Sequence, residues 1–130
     1  IHLQDWPVAP PSWTQADTEA DIAALLKVRA QVNEAIEPHR AAGQLGKSLD
    51  AAVTLTAAAG SPEFRVLEKH RAFLAELFIV SSVAHGGALE VTRTEHHKCG
   101  RCWRHLPEVT EDGALCSRCD QVVAGMDAGA

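Results

Sequence analysis

No stretch of this sequence stays apolar long enough to cross a bilayer. The longest candidate, LAELFIVSSVA, is interrupted by Glu76 and two serines and falls short of the roughly 20 residues that a spanning helix requires. Nothing at the front combines a basic segment, an apolar stretch and a small-residue cleavage site, so no secretory leader is expected at Ile1. An excess of positive charge is also lacking: 12 Lys and Arg stand against 17 Asp and Glu, a formal net charge of -5. That balance argues against indiscriminate nucleic-acid binding and confines any such binding to a local patch. Cysteine is absent except in two CxxC pairs, Cys99 with Cys102 and Cys116 with Cys119. Neighbours in a CxxC cannot staple distant parts of a fold together, so a reducing, cytoplasmic compartment with metal thiolates fits better than a disulfide framework. Internal repeats are missing, and the one biased stretch is a small-residue tail, AGMDAGA, which is expected to fray.

What remains is a chain of 130 residues, ordinarily one domain, long enough to bury about two-thirds of its unfolded surface without disulfides. Its first residue is Ile1 and its only methionine is Met126. The expectation is a piece from the end of a longer protein, with a processed small protein as the alternative.

The opening IHLQDWPVAPPSWTQ sets Trp6 and Trp13 among Pro7, Pro10 and Pro11, as in an extended arm whose indoles dock on a neighbouring surface. Thr18 and Asp21 form a capping-box-like start, and Ile22, Leu25, Leu26, Arg29, Val32 and Ile36 follow at helical spacing. Pro38 is expected to kink or end that helix, with Gly43 and Gly46 closing the region. From Ser48 the period changes to two, placing Leu49, Ala51, Val53 and Leu55 on one face of a strand. Ser61 and Pro62 then begin a second amphipathic helix marked by Phe64, Leu67, Arg71, Leu74 and Phe78. FIVSSVA has strand composition, and Gly86-Gly87 leads into ALEVTRT, another alternating run. The pattern predicts an α+β fold: a small sheet packed by two amphipathic helices, followed by a C-terminal zinc ribbon built on four cysteines. The expected divisions are a connector arm over 1–17, the α+β module over 18–95, the finger over 96–123 and the tail over 124–130. Both helical stripes read as core packing, and neither argues for an organic cofactor.

Cys99 and Cys102 lie in CGRC and Cys116 and Cys119 in CSRC, with a turn expected at Glu111-Asp112-Gly113 between them. Two such knuckles present four thiolates that can close tetrahedrally on one Zn²⁺. A closed four-thiolate site has no open coordination position, so the zinc is read as structural. A thioredoxin-like redox pair would leave the second CxxC unexplained. His96, His97 or His105 could replace a cysteine as ligand, although four thiolates at matched spacing need no substitute. Gly100 is read as easing the bend of the first knuckle. Around that knuckle the charge balance reverses: Arg93, Lys98, Arg101 and Arg104, with three histidines, face only Glu95. Arg101 and Trp103 flank Cys102, and a guanidinium and an indole held on a rigid knuckle suit unstacked bases. The competing reading has Trp103 covering the metal and Arg101 solvated.

KCGRCW followed by LCSRC resembles the C-terminal zinc finger of bacterial-type isoleucyl-tRNA synthetases. The similarity continues upstream through LQDWP, VRAQVNEAIEPHRAAGQLGKSLDAAVTL and ELFIVSSV, so that it covers about Leu3 to Val122. In that family such segments end the anticodon-binding region of an enzyme that activates isoleucine and transfers it to tRNA(Ile). The resemblance implies Cys99, Cys102, Cys116 and Cys119 as zinc ligands, and Arg101, Trp103, Lys98 and Arg104 as RNA-binding candidates. It implies tRNA(Ile) and the remainder of a parent synthetase as partners, with a monomer expected. The family's HIGH-like and KMSKS-like motifs are absent, and GQLGKS lacks the phosphate-loop spacing GxxxxGK[ST]. No catalytic residue is assigned, and this chain alone is not expected to be an enzyme. Two positions depart from the pattern: Pro38 falls inside a helix, and Gly100 stands where an acidic residue is frequent. Formamidopyrimidine-type DNA glycosylases end in a similar finger, yet their helix-two-turn-helix element and amino-terminal proline have no counterpart here. The alternatives are therefore a DNA-binding module of that type, or a stand-alone zinc-dependent interaction domain.

Overall fold

The computed structural model of the chain describes residues 5–127. The ends of the expected arm and tail, residues 1–4 and 128–130, lie outside them. Helix α1 (Ala16–Ala41) begins two residues before the expected start, with Gln15 as its cap and Thr18 already inside its first turn. Asp21, read as part of a capping box, instead accepts a hydrogen bond from Lys69 Nζ at 2.6 Å and pairs with His70 Nε2 at 2.9 Å. The Lys69 hydrogen bond, followed by that of His70, holds the Asp21 carboxyl below its ordinary range.

Leu25, Val28, Val32 and Ile36 form the buried stripe of α1, while Leu26, assigned to the stripe by spacing, faces solvent. Pro38 does not end the helix, which continues to Ala41. It sits in the last turn, where the hydrogen bond lost with its missing N–H has few residues beyond it to destabilise. Gly43 follows with φ +71°, and the amides of Ala42, Gly43 and Gln44 close on the carbonyls of Pro38, Arg40 and His39.

Strand β1 (Ala51–Thr56) buries Ala51, Val53 and Leu55, as the period-two pattern requires. Leu49, expected on the same face of the strand, lies in the short 3₁₀ turn Ser48–Asp50 before it. Two helices occupy the span predicted as one: α2 (Pro62–Lys69) and α3 (Arg71–Phe78), separated at His70. Ser61 caps α2 by accepting from the Phe64 amide at 3.0 Å. The break lets Leu67 of α2 and Leu74 and Phe78 of α3 all reach the core, while Arg71, placed on that stripe by spacing, stays exposed.

FIVSSVA is only partly a strand. Phe78 ends α3, Ile79 takes a left-handed conformation (φ 59°, ψ 49°) that reverses the chain, and β2 starts at Ser82 (Ser82–Gly86). Strand β3 (Glu90–Arg93) follows Gly86-Gly87, yet β2 and β3 do not pair with each other. The sheet order is β2-β1-β3, with β2 parallel and β3 antiparallel to β1, and Val53 opposite both Val83 and Val91. A parallel neighbour requires a crossover, which α2 and α3 supply. One apolar core joins α1, α2, α3 and the sheet through Leu25, Val32, Val53, Leu67, Leu74 and Phe78, among others.

The cysteine-bearing segment has a core of its own, made of Cys99, Val109, Cys116 and Cys119 with Leu106, Ala114 and Leu115 packed against them. It joins the sheet largely through His105. Its Nδ1 lies 2.7 Å from the His96 carbonyl, its Nε2 3.2 Å from Asp50 Oδ1, and its own carbonyl accepts from Ser81 Oγ at 3.1 Å. Helix α4 (Ser117–Asp127) runs through the position where a tail was expected to begin at 124. Among the described residues the two indoles of the arm stay largely exposed, Trp6 at 94% and Trp13 at 75%.

Candidate metal centre

The first knuckle is a short hairpin, bridged between Lys98 and His105 and closed by the Cys99 amide donating to the Arg104 carbonyl at 2.9 Å. Trp103 N–H donates to the Cys99 carbonyl at 3.0 Å, which drives Trp103 into the left-handed region at φ 65°. Such a conformation is costly for a bulky residue and persists only where the surroundings impose it. The second knuckle lies at the start of α4, where unpaired helix amides favour anionic sulfur.

Gly100 does not ease a bend, since its own backbone is not left-handed. A Cβ there would meet the Gly113 carbonyl oxygen at 2.4 Å. The small residue is needed because the knuckle and the Glu111-Asp112-Gly113 turn press together, exchanging the bonds Gly100 N–H to Ala114 O (3.0 Å) and Gly113 N–H to Lys98 O (2.9 Å). Gly113 carries the positive φ, +98°.

These constraints bring the four cysteines together. One sulfur from each of Cys99, Cys102, Cys116 and Cys119 lies within 4.8 Å of all the others, and only Cys102 is more than marginally exposed. Four sulfurs about 2.3 Å from one zinc would stand about 3.8 Å apart at the corners of a tetrahedron. Cys102 Sγ and Cys116 Sγ are 3.8 Å apart, a separation that suits shared ligation and is far too long for a disulfide. None of the three histidines near the first knuckle belongs to this cluster of donors.

The electrostatics of the donor set agree. Burial resists ionisation of Cys99, but the amides of Cys102, Cys116 and Arg101 outweigh it and bring the thiol down to about 6; the Cys116 amide lies 3.3 Å from the sulfur. Burial pushes Cys102 up to about 12, with the Arg104 amide opposing and the Cys99, Cys116 and Cys119 thiols adding to the rise. At Cys116 the Cys119 amide and the Cys102 thiol favour the thiolate, yet burial and the Cys119 and Cys99 thiols prevail and raise it. The pocket thus stabilises the Cys99 thiolate and resists those of Cys102 and Cys116, the balance that a bound dication reverses. In spacing, burial and charge, these four sulfurs fit one structural zinc.

The side chains read as RNA contacts are placed unequally. Trp103 is 56% exposed and is not among the buried or partly buried residues of the finger's apolar core. Lys98 is exposed, its backbone amide held by Asp112 Oδ1 at 2.7 Å. The Arg101 guanidinium reaches to 3.9 Å from Cys119 Sγ, where its charge offsets thiolate charge. Arg104 is half-buried. The residue that sequence reasoning missed is Lys47, whose Nζ sits 4.8 Å from the centre of the Trp103 ring. Its only sequence signal was the GKS triplet, set aside as a false phosphate loop. The contact joins segments far apart in the chain and has no local signature.

Residues 97–122 match the family model described as a zinc finger found in FPG and IleRS. Beyond the finger, 95% of the chain is similar to part of an isoleucine--tRNA ligase of Zymomonas mobilis, with 41% identity over 127 residues. Isoleucine--tRNA ligases of Syntrophotalea carbinolica (36% identity) and Kosmotoga olearia (33%) match 95% of it as well. The chain spans only 13 to 15% of the length of these curated relatives. It is therefore similar, along nearly its whole length, to the zinc-finger part of an aminoacyl-tRNA synthetase.

Proposed function

We propose that this chain is the C-terminal part of an isoleucine--tRNA ligase, acting in the cytoplasm as a monomer, and that it grips the anticodon side of tRNA(Ile). In this reading Cys99, Cys102, Cys116 and Cys119 bind one zinc, whose role is to fix the backbone of both knuckles. All four positions around the metal are filled by protein, so the site offers none to a substrate. Residues 18–95 form the supporting module and 96–123 the finger. Isoleucine activation belongs to the rest of the enzyme.

The observation that carries the proposal is the indole of Trp103, held open to solvent on a backbone that the knuckle forces into the left-handed region. A rigid aromatic surface loses little entropy on binding and stacks any unpaired base, for about 1 to 3 kcal/mol per base. Lys47, over the Trp103 ring, and Lys98, in the same cleft as Lys47, supply attraction for phosphate in a chain that is acidic overall. The finger family also includes DNA glycosylases, but the similarity to ligases extends across α1 and the sheet, where a glycosylase finger gives no reason for it.

Binding separates the alternatives. The intact ligase carrying this chain is expected to bind tRNA(Ile) selectively over tRNAs with other anticodons, and to lose that preference when residues 96–123 are deleted. Preference for duplex DNA with an abasic site would favour the glycosylase-type module. Unchanged tRNA(Ile) selectivity after the deletion would contradict the anticodon role.

A further inference from the structure

Between the α+β module and the finger lies a polar cleft of about 330 Å³, lined by Lys47, Asp50, Arg93, Lys98, His105 and Asp112, with Gly46. Lys47 belongs both to this cleft and to the Trp103 platform. We propose that the cleft holds a backbone phosphodiester of the RNA whose base stacks on Trp103, a site that rests on the stacking role proposed above.

Both carboxylates in the cleft are already engaged. Asp50 Oδ2 accepts from the amides of Gly46 at 3.1 Å and Lys47 at 3.0 Å, while its Oδ1 faces His105. Asp112 Oδ1 accepts from the Lys98 amide. These bonds lock the backbones that carry Lys47 and Lys98, and among the described residues neither ammonium forms an ion pair. The Arg93 guanidinium reaches the Gln44 carbonyl at 3.4 Å, which aligns it along the same wall. Three cations against two carboxylates leave a single positive charge. That matches the single negative charge of a phosphodiester and is poorly matched to a free phosphate dianion. The cleft also straddles two independently built cores, so a strand lying in it would bind the finger to the module.

The test is an NMR titration of the zinc-loaded chain with an RNA stem-loop carrying the isoleucine anticodon, repeated at several salt concentrations. It follows the amides of Gly46 and Lys47 and the Trp103 indole, a readout sensitive to weak binding. Each phosphate neutralised on a single strand contributes about 0.7 to the slope of log affinity against log salt. Lys47→Gln with Lys98→Gln, which removes the one phosphate contact, is expected to lower that slope by about 0.7, Lys47→Gln alone by no more than that, and Lys47→Arg to restore the loss of the single variant. Zinc content should be the same in every variant. If RNA shifts the Trp103 indole but the slopes of the variants equal that of the wild type, the cleft holds no phosphodiester and the stacking role stands. If RNA shifts neither Trp103 nor the cleft, both proposals fall. Inorganic phosphate that shifts the cleft amides at lower concentration than the stem-loop would also overturn this one, assigning the site to free phosphate.

Discussion

Gly100 shows how one residue couples the two halves of the finger. Its missing side chain leaves room for the Gly113 carbonyl, and the bonds on either side hold the turn against the knuckle. Gly100→Ala must push backbone aside rather than a flexible side chain. It is expected to destabilise the finger by about 1 to 3 kcal/mol, the usual range for overpacking, and to weaken zinc retention correspondingly. Competition for zinc against a chromogenic chelator measures this directly, and retention equal to the wild type would contradict the close-packing account. The sequence marked Gly100 as special but for the wrong reason, because local conformational freedom was all it could offer. The real cause is a contact with Gly113, in the turn between the two knuckles. Lys47 was overlooked on the same grounds, since its partner Trp103 lies in the finger, far along the chain.

At the scale of elements, residues were legible where burial follows a period. Ala51, Val53 and Leu55 alternate in β1 as expected, and Leu25, Val32 and Ile36 line α1. Periodicity was silent where tertiary geometry decided. The second helix breaks at His70, which Asp21 of α1 binds, and Ile79 was read as strand because it is β-branched although it reverses the chain after α3. The four cysteines were the most legible feature, because metal spacing is itself a local signal. Their segment buries few apolar side chains beyond the cysteines, so zinc must contribute much of its stability, on the order of 10 kcal/mol. The apolar core of the sheet shares no residue with it. Chelation is therefore expected to collapse the dispersion of amide signals from Lys98 to Val122 while those of β1 and α1 persist. Simultaneous loss of both sets would show that the finger and module fold as one unit.

For the whole molecule, the acidic total and the basic finger surface act together. Net repulsion limits binding to arbitrary nucleic acid, while Lys47 sets positive charge over one exposed indole and Lys98 shares its cleft. In the proposed function, zinc and packing serve to present that indole to an unpaired base. The most direct measurement is zinc content and tRNA(Ile) affinity on a single preparation of the intact ligase carrying Trp103→Ala. The expected result is one zinc per chain, isoleucine activation unchanged, and affinity weakened by about 1 to 3 kcal/mol through lost stacking. Full zinc with affinity equal to the wild type would contradict it, as would a loss of affinity that occurs only together with loss of the metal.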